Sequence, residues 1–143
     1  MPTSQATAVW EGKLKDGKGN FRAASGAFNG PYTFATRFEG KKGTNPEELI
    51  AAAHAACFSM ALSAGLEKAG KPATSVETTA ACTIDMVNGA PTITKMALAV
   101  RGKVPGLDQG GFQRAAEEAK RGCPVSRALT GIPQITLDAK LES

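Results

Sequence analysis

Cys57, Cys82 and Cys123 are the residues of this sequence best suited to covalent or redox chemistry, and their surroundings differ. Cys57 lies in AAHAACFSMALS, a run of small and apolar residues, where position alone favours inert packing because a buried thiol behaves as a small hydrophobe. Cys123, in RGCPVSRAL, follows a glycine and precedes a proline, so it stands where one helix stops and another starts. A helix start favours negative charge, and a thiol there is a candidate for activation. Cys82 alternates with Ala80 and Ile84, which turns it toward a strand's core face and makes packing its expected role.

Other chemistries find little material. One histidine, no CxxC pair and cysteines separated by 25 positions (Cys57 to Cys82) and 41 (Cys82 to Cys123) give no zinc-like spacing. The glycines form no GxGxxG after a strand, so no bound dinucleotide, flavin or haem is expected. His54 precedes Cys57 by three positions on a helix, which brings the two side chains near each other. A Cys–His hydrolase is therefore one reading, a packed and hydrogen-bonded histidine the plainer one. A noncatalytic module binding small molecules or lipid, with passive cysteines, is a third. Taken alone, Arg37 in ATRFEG reads as a loop cation, and Glu47 in NPEEL as a favourable charge in the first turn of a helix.

These residues need elements to position them. The first third reads as an antiparallel meander: TAVWEG, the turn DGKGN, NFRAA, a further turn and PYTFAT. From Thr44 the texture changes. Asn45 is an N-cap, Pro46 fits the first helical position and Glu48 closes a capping box, opening a long helix through Gly70. Its sides are apolar or small almost all round, so partners are expected on several faces. TSVETTAACTIDMV and TITKMALAVRGKV flank the turn NGAP as a long hairpin, with Val76, Ala80, Cys82, Ile84 and Met86 sharing one face of the first strand and Met96, Leu98 and Val100 one face of the second, both expected to pack on helices. FQRAAEEAKR is an amphipathic helix ended by Gly122, CPVSRAL begins a new helical turn, and QITLDAKLES closes the chain as a strand with Ile135, Leu137, Ala139 and Leu141 on one side. The order implies a single α+β domain over residues 1–143, in which antiparallel sheet covers a central helix.

Bulk properties agree. A chain of 143 residues can bury its own core, and 42% hydrophobic with 21% charged residues describes a globular protein. Lys plus Arg exceeds Asp plus Glu by 17 to 13, but the excess sits in the glycine-interrupted stretches GKLKDGKGN and EGKKG without aromatic residues for stacking, so no nucleic-acid partner is expected. MPTSQATAVWEG has no basic segment followed by an apolar run, which points to the cytoplasm. LIAAAHAACFSMALSAGL has the length of a membrane span but is built from Ala, Ser, Gly and His, so no membrane partner is expected. In a reducing compartment three cysteines are no disulfide framework, and their value lies in reactivity.

The strings TRFEGKKGTNPEELIAAAHAACFSMALS and GCPVSRAL together resemble the signature segments of the OsmC family (osmotically inducible protein C) and the related organic hydroperoxide resistance (Ohr) proteins, with its OsmC branch the nearer. The likeness runs from Val9 to Lys140. It implies an intertwined homodimer with sheets wrapped around central helices and active sites at the subunit interface. The implied activity is thiol-dependent reduction of organic hydroperoxides, and of hydrogen peroxide less efficiently, in oxidative and osmotic stress defence. Cys57 occupies the family's peroxidatic position, Cys123 the resolving one, Arg37 that of the catalytic arginine and Glu47 that of the acid holding it. No bound cofactor is implied; the reductant would be an external dithiol, a dihydrolipoyl group.

The chemistry gives those positions physical sense. An ordinary cysteine, with a pKa of ~8.5, is mostly protonated at neutral pH, and lowering it by roughly two to three units takes about 3 to 4 kcal/mol. The helix dipole contributes ~0.3 to 1 kcal/mol and fades within a turn, too early for Cys57. A guanidinium about 4 Å away is worth on the order of 4 kcal/mol at an effective dielectric near 20. Arg37 is of the right size, and its planar fork suits peroxide oxygens better than a lysine would. Glu47 and Cys57 lie ten positions apart on one helix, about 15 Å of rise. An antiparallel pairing of central helices, with Arg37 and Glu47 of one subunit serving Cys57 of the other, would close that gap.

Overall fold

Glycine and asparagine turns cut the N-terminal third into three short strands, as the sequence leads one to expect. In the computed structural model, which describes residues 1–142, these are β1 (Ala6–Glu11), β2 (Lys18–Ala23) and β3 (Asn29–Tyr32). They pair antiparallel in chain order, with Trp10, Phe21 and Tyr32 clustering through tilted ring contacts of 5.5 and 5.9 Å. The sequence reading carried the third strand through Thr36, but it ends at Tyr32. Thr33 instead caps a short helix, α1 (Phe34–Phe38): its hydroxyl accepts from the Thr36 N–H, while the Thr36 hydroxyl accepts from the Thr33 N–H. This reciprocal box takes up orphan donors of the first turn and converts the tail of a strand into a helix.

Asn45 does two jobs at the start of α2 (Pro46–Lys68): its Oδ1 accepts from the Glu48 N–H at 2.8 Å, and its Nδ2 donates to the Thr36 carbonyl at 3.0 Å. By length and composition α2 would suffice to cross a bilayer, yet one face of it is committed to the protein core. His54, Phe58, Leu62 and Leu66, spaced by four, are at most 2% exposed. Of the faces expected to be covered, this one is covered within the chain. A second stripe at the same spacing, Ala52, Ala56, Met60 and Ala64, is exposed, with Met60 at 75%.

The remaining elements are β4 (Ser75–Val87), β5 (Ala90–Lys103), α3 (Gln109–Gly122), α4 (Pro124–Ala128) and β6 (Gln134–Glu142). Asn88 and Gly89 both adopt positive φ, 52° and 78°, which is the two-residue turn whose twist suits a hairpin. The hairpin β4–β5 runs antiparallel with a register shift at Thr83/Ile84, and Met86 near its tip is exposed rather than packed with Val76 and Ala80. The sheet is not antiparallel throughout, because β6 lies parallel to β5. The chain leaves β5, passes through α3 and α4 and returns in the same direction, as a parallel pair requires. Gln109 pins that return by donating to the Ala139 carbonyl and accepting from the Leu141 N–H.

The chain divides into two compact units, one over Met1–Leu49 and the other from Ile50 onward. The second holds a core of Phe58, Leu62 and Leu66 from α2, Leu98 and Val100 from β5, Phe112, Ala116 and Ala119 from α3, and Ala139 from β6. Phe112 lies against Gly102 so closely that a Cβ there would strike its ring. Gly102→Ala should therefore cost about 1 to 3 kcal/mol of stability by overpacking, seen as a lower urea midpoint with an unchanged slope.

Candidate functional site

Cys57 is half-buried on α2, one residue before Phe58 of the buried stripe, so the same helix face that enters the core fixes its sulfur. Two residues on, the Ser59 hydroxyl meets that of Thr78 at 2.7 Å and ties α2 to β4. Cys123 arrives from the other side. It is both the last cap of α3, where its N–H reaches the Ala119 carbonyl, and the first cap of α4, with Pro124 in the first turn. Its backbone is extended, φ −60° and ψ 122°. The thiol, fully buried, points to Cys57, and the two sulfurs stand 3.1 Å apart without a bond between them. A disulfide bond is about 2.05 Å long, so closure takes about 1 Å of movement. Cys82 is half-buried on the core face of β4.

One proton can serve both sulfurs, so they titrate as a pair. Burial raises Cys57 above the ordinary thiol value; the hydrogen bond with Cys123 raises it further, and a hydrogen bond from the Val125 N–H only partly offsets this. Burial would also raise Cys123, but hydrogen bonds from Cys57, the Ser126 N–H and hydroxyl and the Val125 N–H outweigh it and leave Cys123 below the ordinary value. Within one chain the two thiols are thus pushed apart, Cys57 up and Cys123 down, the reverse of what the chemistry anticipated from sequence asks of Cys57.

A cation held in a fixed orientation stands in the N-terminal unit. Arg37, in the last turn of α1, forks onto Glu47 at the start of α2, with Nε to Oε1 at 3.0 Å, Nε to Oε2 at 3.3 Å and Nη2 to Oε1 at 2.7 Å. Glu47 is 4% exposed, and the guanidinium also lies over the Phe38 ring, 5.2 Å from its centroid. A buried carboxylate so held fixes the plane of the guanidinium. The structure thus joins the four expected residues in two pairs, Cys57 with Cys123 and Arg37 with Glu47, each inside its own compact unit.

His54 does not serve Cys57. Its Nε2 lies 2.6 Å from the Ser126 hydroxyl, its Nδ1 has no partner among the described residues, and burial holds its pKa below the ordinary 6.5. The packed, hydrogen-bonded reading holds, and the Cys–His hydrolase loses its base. Ser126 was missed in the sequence, although it stands three residues after Cys123, where a side chain on α4 overhangs the cap. Among the described residues no three His, Cys, Asp or Glu side chains gather as metal ligands.

Because the folded state binds neutral His54, the unfolded chain takes up a proton first as pH falls below about 6.5. Stability should therefore drop between pH 7 and 5. His54→Gln should flatten that part of the slope of urea midpoint against pH, and an unchanged slope would contradict the buried neutral ring.

The chain is similar to several known proteins. The family model described as OsmC-like protein matches residues 39–138. Peroxiredoxin OsmC of Escherichia coli (strain K12) is 54% identical over 137 residues, covering 95% of this chain and 94% of that protein. The organic hydroperoxide resistance protein of Xanthomonas axonopodis pv. citri (strain 306) is 35% identical over 100 residues, 68% of each chain. Among solved structures, an organic hydroperoxide resistance protein from Elizabethkingia anophelis superposes with a TM-score of 0.75 at 26% identity, covering 100% of this chain and 97% of its own.

Proposed function

The chain belongs to the OsmC-like protein family and is a cysteine-based peroxidase, and from that premise we propose that it reduces organic hydroperoxides through Cys57, with Cys123 as the resolving thiol. The observation that carries this reading is the 3.1 Å contact between two sulfurs 66 residues apart in sequence. Cys57 is the more exposed of the two and receives the substrate.

The Cys57 thiolate attacks the terminal peroxide oxygen. An S–O bond forms, the O–O bond breaks, and the alkoxide leaves and is protonated to the alcohol. Arg37 supports this step twice: its positive charge moves the shared anion from Cys123 to Cys57, and its fork donates to the oxygens on which charge develops. Glu47 keeps the fork in plane. Cys123 then attacks the sulfur of the Cys57 sulfenic acid. The S–S bond forms, the S–O bond breaks, and hydroxide leaves as water with the proton from Cys123. An external dithiol, for which a dihydrolipoyl group is the suitable class, returns both thiols by exchange.

The working form in this reading is a homodimer of single-domain subunits in the cytoplasm. Its support is the bare stripe Ala52, Ala56, Met60 and Ala64, where alanines permit close approach of a second α2. An antiparallel pairing there brings Arg37 and Glu47 of one subunit to Cys57 of the other.

One equivalent of tert-butyl hydroperoxide should yield a Cys57–Cys123 disulfide by mass spectrometry with Cys82 unmodified, and Cys57→Ser should abolish turnover. Retained turnover in that variant would sink the peroxidatic assignment. Met60→Glu should weaken dimerisation by tenfold or more, roughly the cost of a poorly paired charge in an apolar contact, and activity should fall in proportion to dimer measured by sedimentation. Full turnover by a demonstrably monomeric form would contradict the shared site.

A further inference from the structure

One buried polar chain takes no part in the steps above. His54 lies one turn before Cys57 on α2 and is 0% exposed; Ser126 on α4 is 6% exposed; their side chains meet at 2.6 Å. Ser126 is also the third residue of α4, the helix that Cys123 caps, and its hydroxyl is among the groups that lower the Cys123 thiol. A serine has one proton to donate, so the two contacts cannot both receive it.

The ring decides between them. A neutral imidazole carries hydrogen on one nitrogen only. Placed on Nδ1, that hydrogen would be a buried donor without a partner, since Nδ1 meets none among the described residues, and Nε2 would then draw the serine proton away from Cys123. Placed on Nε2, it donates to the Ser126 oxygen, leaves a bare nitrogen where no partner stands, and frees the serine proton for the sulfur. An unmade buried donor costs more than the alternative in which every hydrogen is used.

We propose that His54 and Ser126 are positioning residues for resolution: His54 Nε2–H donates to Ser126 Oγ, the Ser126 hydroxyl donates to Cys123 Sγ, and this directed chain holds Cys123 as the nucleophile that attacks the Cys57 sulfenic acid. The inference rests on the assignment of Cys123 as the resolving thiol. It adds no redox partner to the balance already given: the proton of Cys123 still leaves with hydroxide as water, and neither His54 nor Ser126 changes its own proton count. A hydrogen bond to the sulfur trades intrinsic nucleophilicity for thiolate fraction. With a Brønsted slope of about 0.4 to 0.5, less than half of each decade gained in thiolate is lost in reactivity, provided the pKa stays above ambient pH.

The test separates the two half-reactions in single turnover. The full-length protein is mixed with one equivalent of tert-butyl hydroperoxide and quenched with dimedone, which traps the sulfenic acid, at successive times. Ser126→Ala should slow disulfide closure about tenfold, the effect of one hydrogen bond to a charged sulfur, so that dimedone-labelled Cys57 accumulates while its formation rate changes far less. Ser126→Thr restores the hydroxyl and should recover closure to within about threefold. His54→Gln, which retains an N–H for Ser126, should behave like the threonine variant, and His54→Leu like the alanine variant if it folds. Closure at the unaltered rate in Ser126→Ala overturns the relay, as does a folded Ser126→Thr no faster than Ser126→Ala. Failure of the underlying assignment looks different: the unaltered protein would then give no Cys57–Cys123 disulfide at all.

Discussion

Holding two sulfurs in contact across the core is the constraint that the C-terminal unit is organised around. The 3.1 Å approach of Cys123 to Cys57 needs α2 fixed in rotation, and the four-spaced stripe from His54 to Leu66 does that by entering the core. It also needs α3 to stop where it does. Had the helix run on past Gly122, Cys123 would project from a regular turn; the break turns its backbone extended. The parallel return of β6 holds α3 against the sheet through Gln109, and Gly102 gives Phe112 the room to lie flat there.

Electrostatics completes the arrangement. Two thiols in contact share a first proton easily and resist losing the second, so a nearby charge needs only to choose which sulfur bears the anion. The local donors lower Cys123, Ser126 acting on it and Val125 on both sulfurs. In the proposed mechanism a guanidinium delivered to Cys57 would reverse that preference, and the donors around Cys123 would act once Cys57 is oxidised.

What could be read from the sequence was what neighbours in the chain decide. Asn45 and Pro46 announce α2, Asn88-Gly89 the hairpin, and Gly122 with Pro124 the break at Cys123, because caps and turns are set by adjacent residues. Helix α1 was not legible: Thr36 replaces the usual Glu or Gln of a capping box, and Phe34 and Tyr32 have the texture of a strand. The direction of β6 was not legible either, since it depends on a crossover of about thirty residues rather than on its own alternation. The bare stripe on α2 escaped notice because alanine suits a covered and an open face alike. Ser126 gains its significance only when α4 is laid against His54, a contact 72 residues away in sequence. The pairs that sequence resemblance singled out, by contrast, do meet, Arg37 on Glu47 and Cys57 on Cys123.

The unequal exposure of the two sulfurs has a consequence for how the proposed cycle would be reset. If the bond between them forms as proposed, an incoming dithiol would approach the half-buried member, because Cys123 has no exposed surface. The mixed species would then be carried on Cys57, with Cys123 as the departing group. A sulfur whose thiolate is already stabilised departs fastest, so the donors gathered around Cys123 would steer the reductive half of that cycle down a single channel as well.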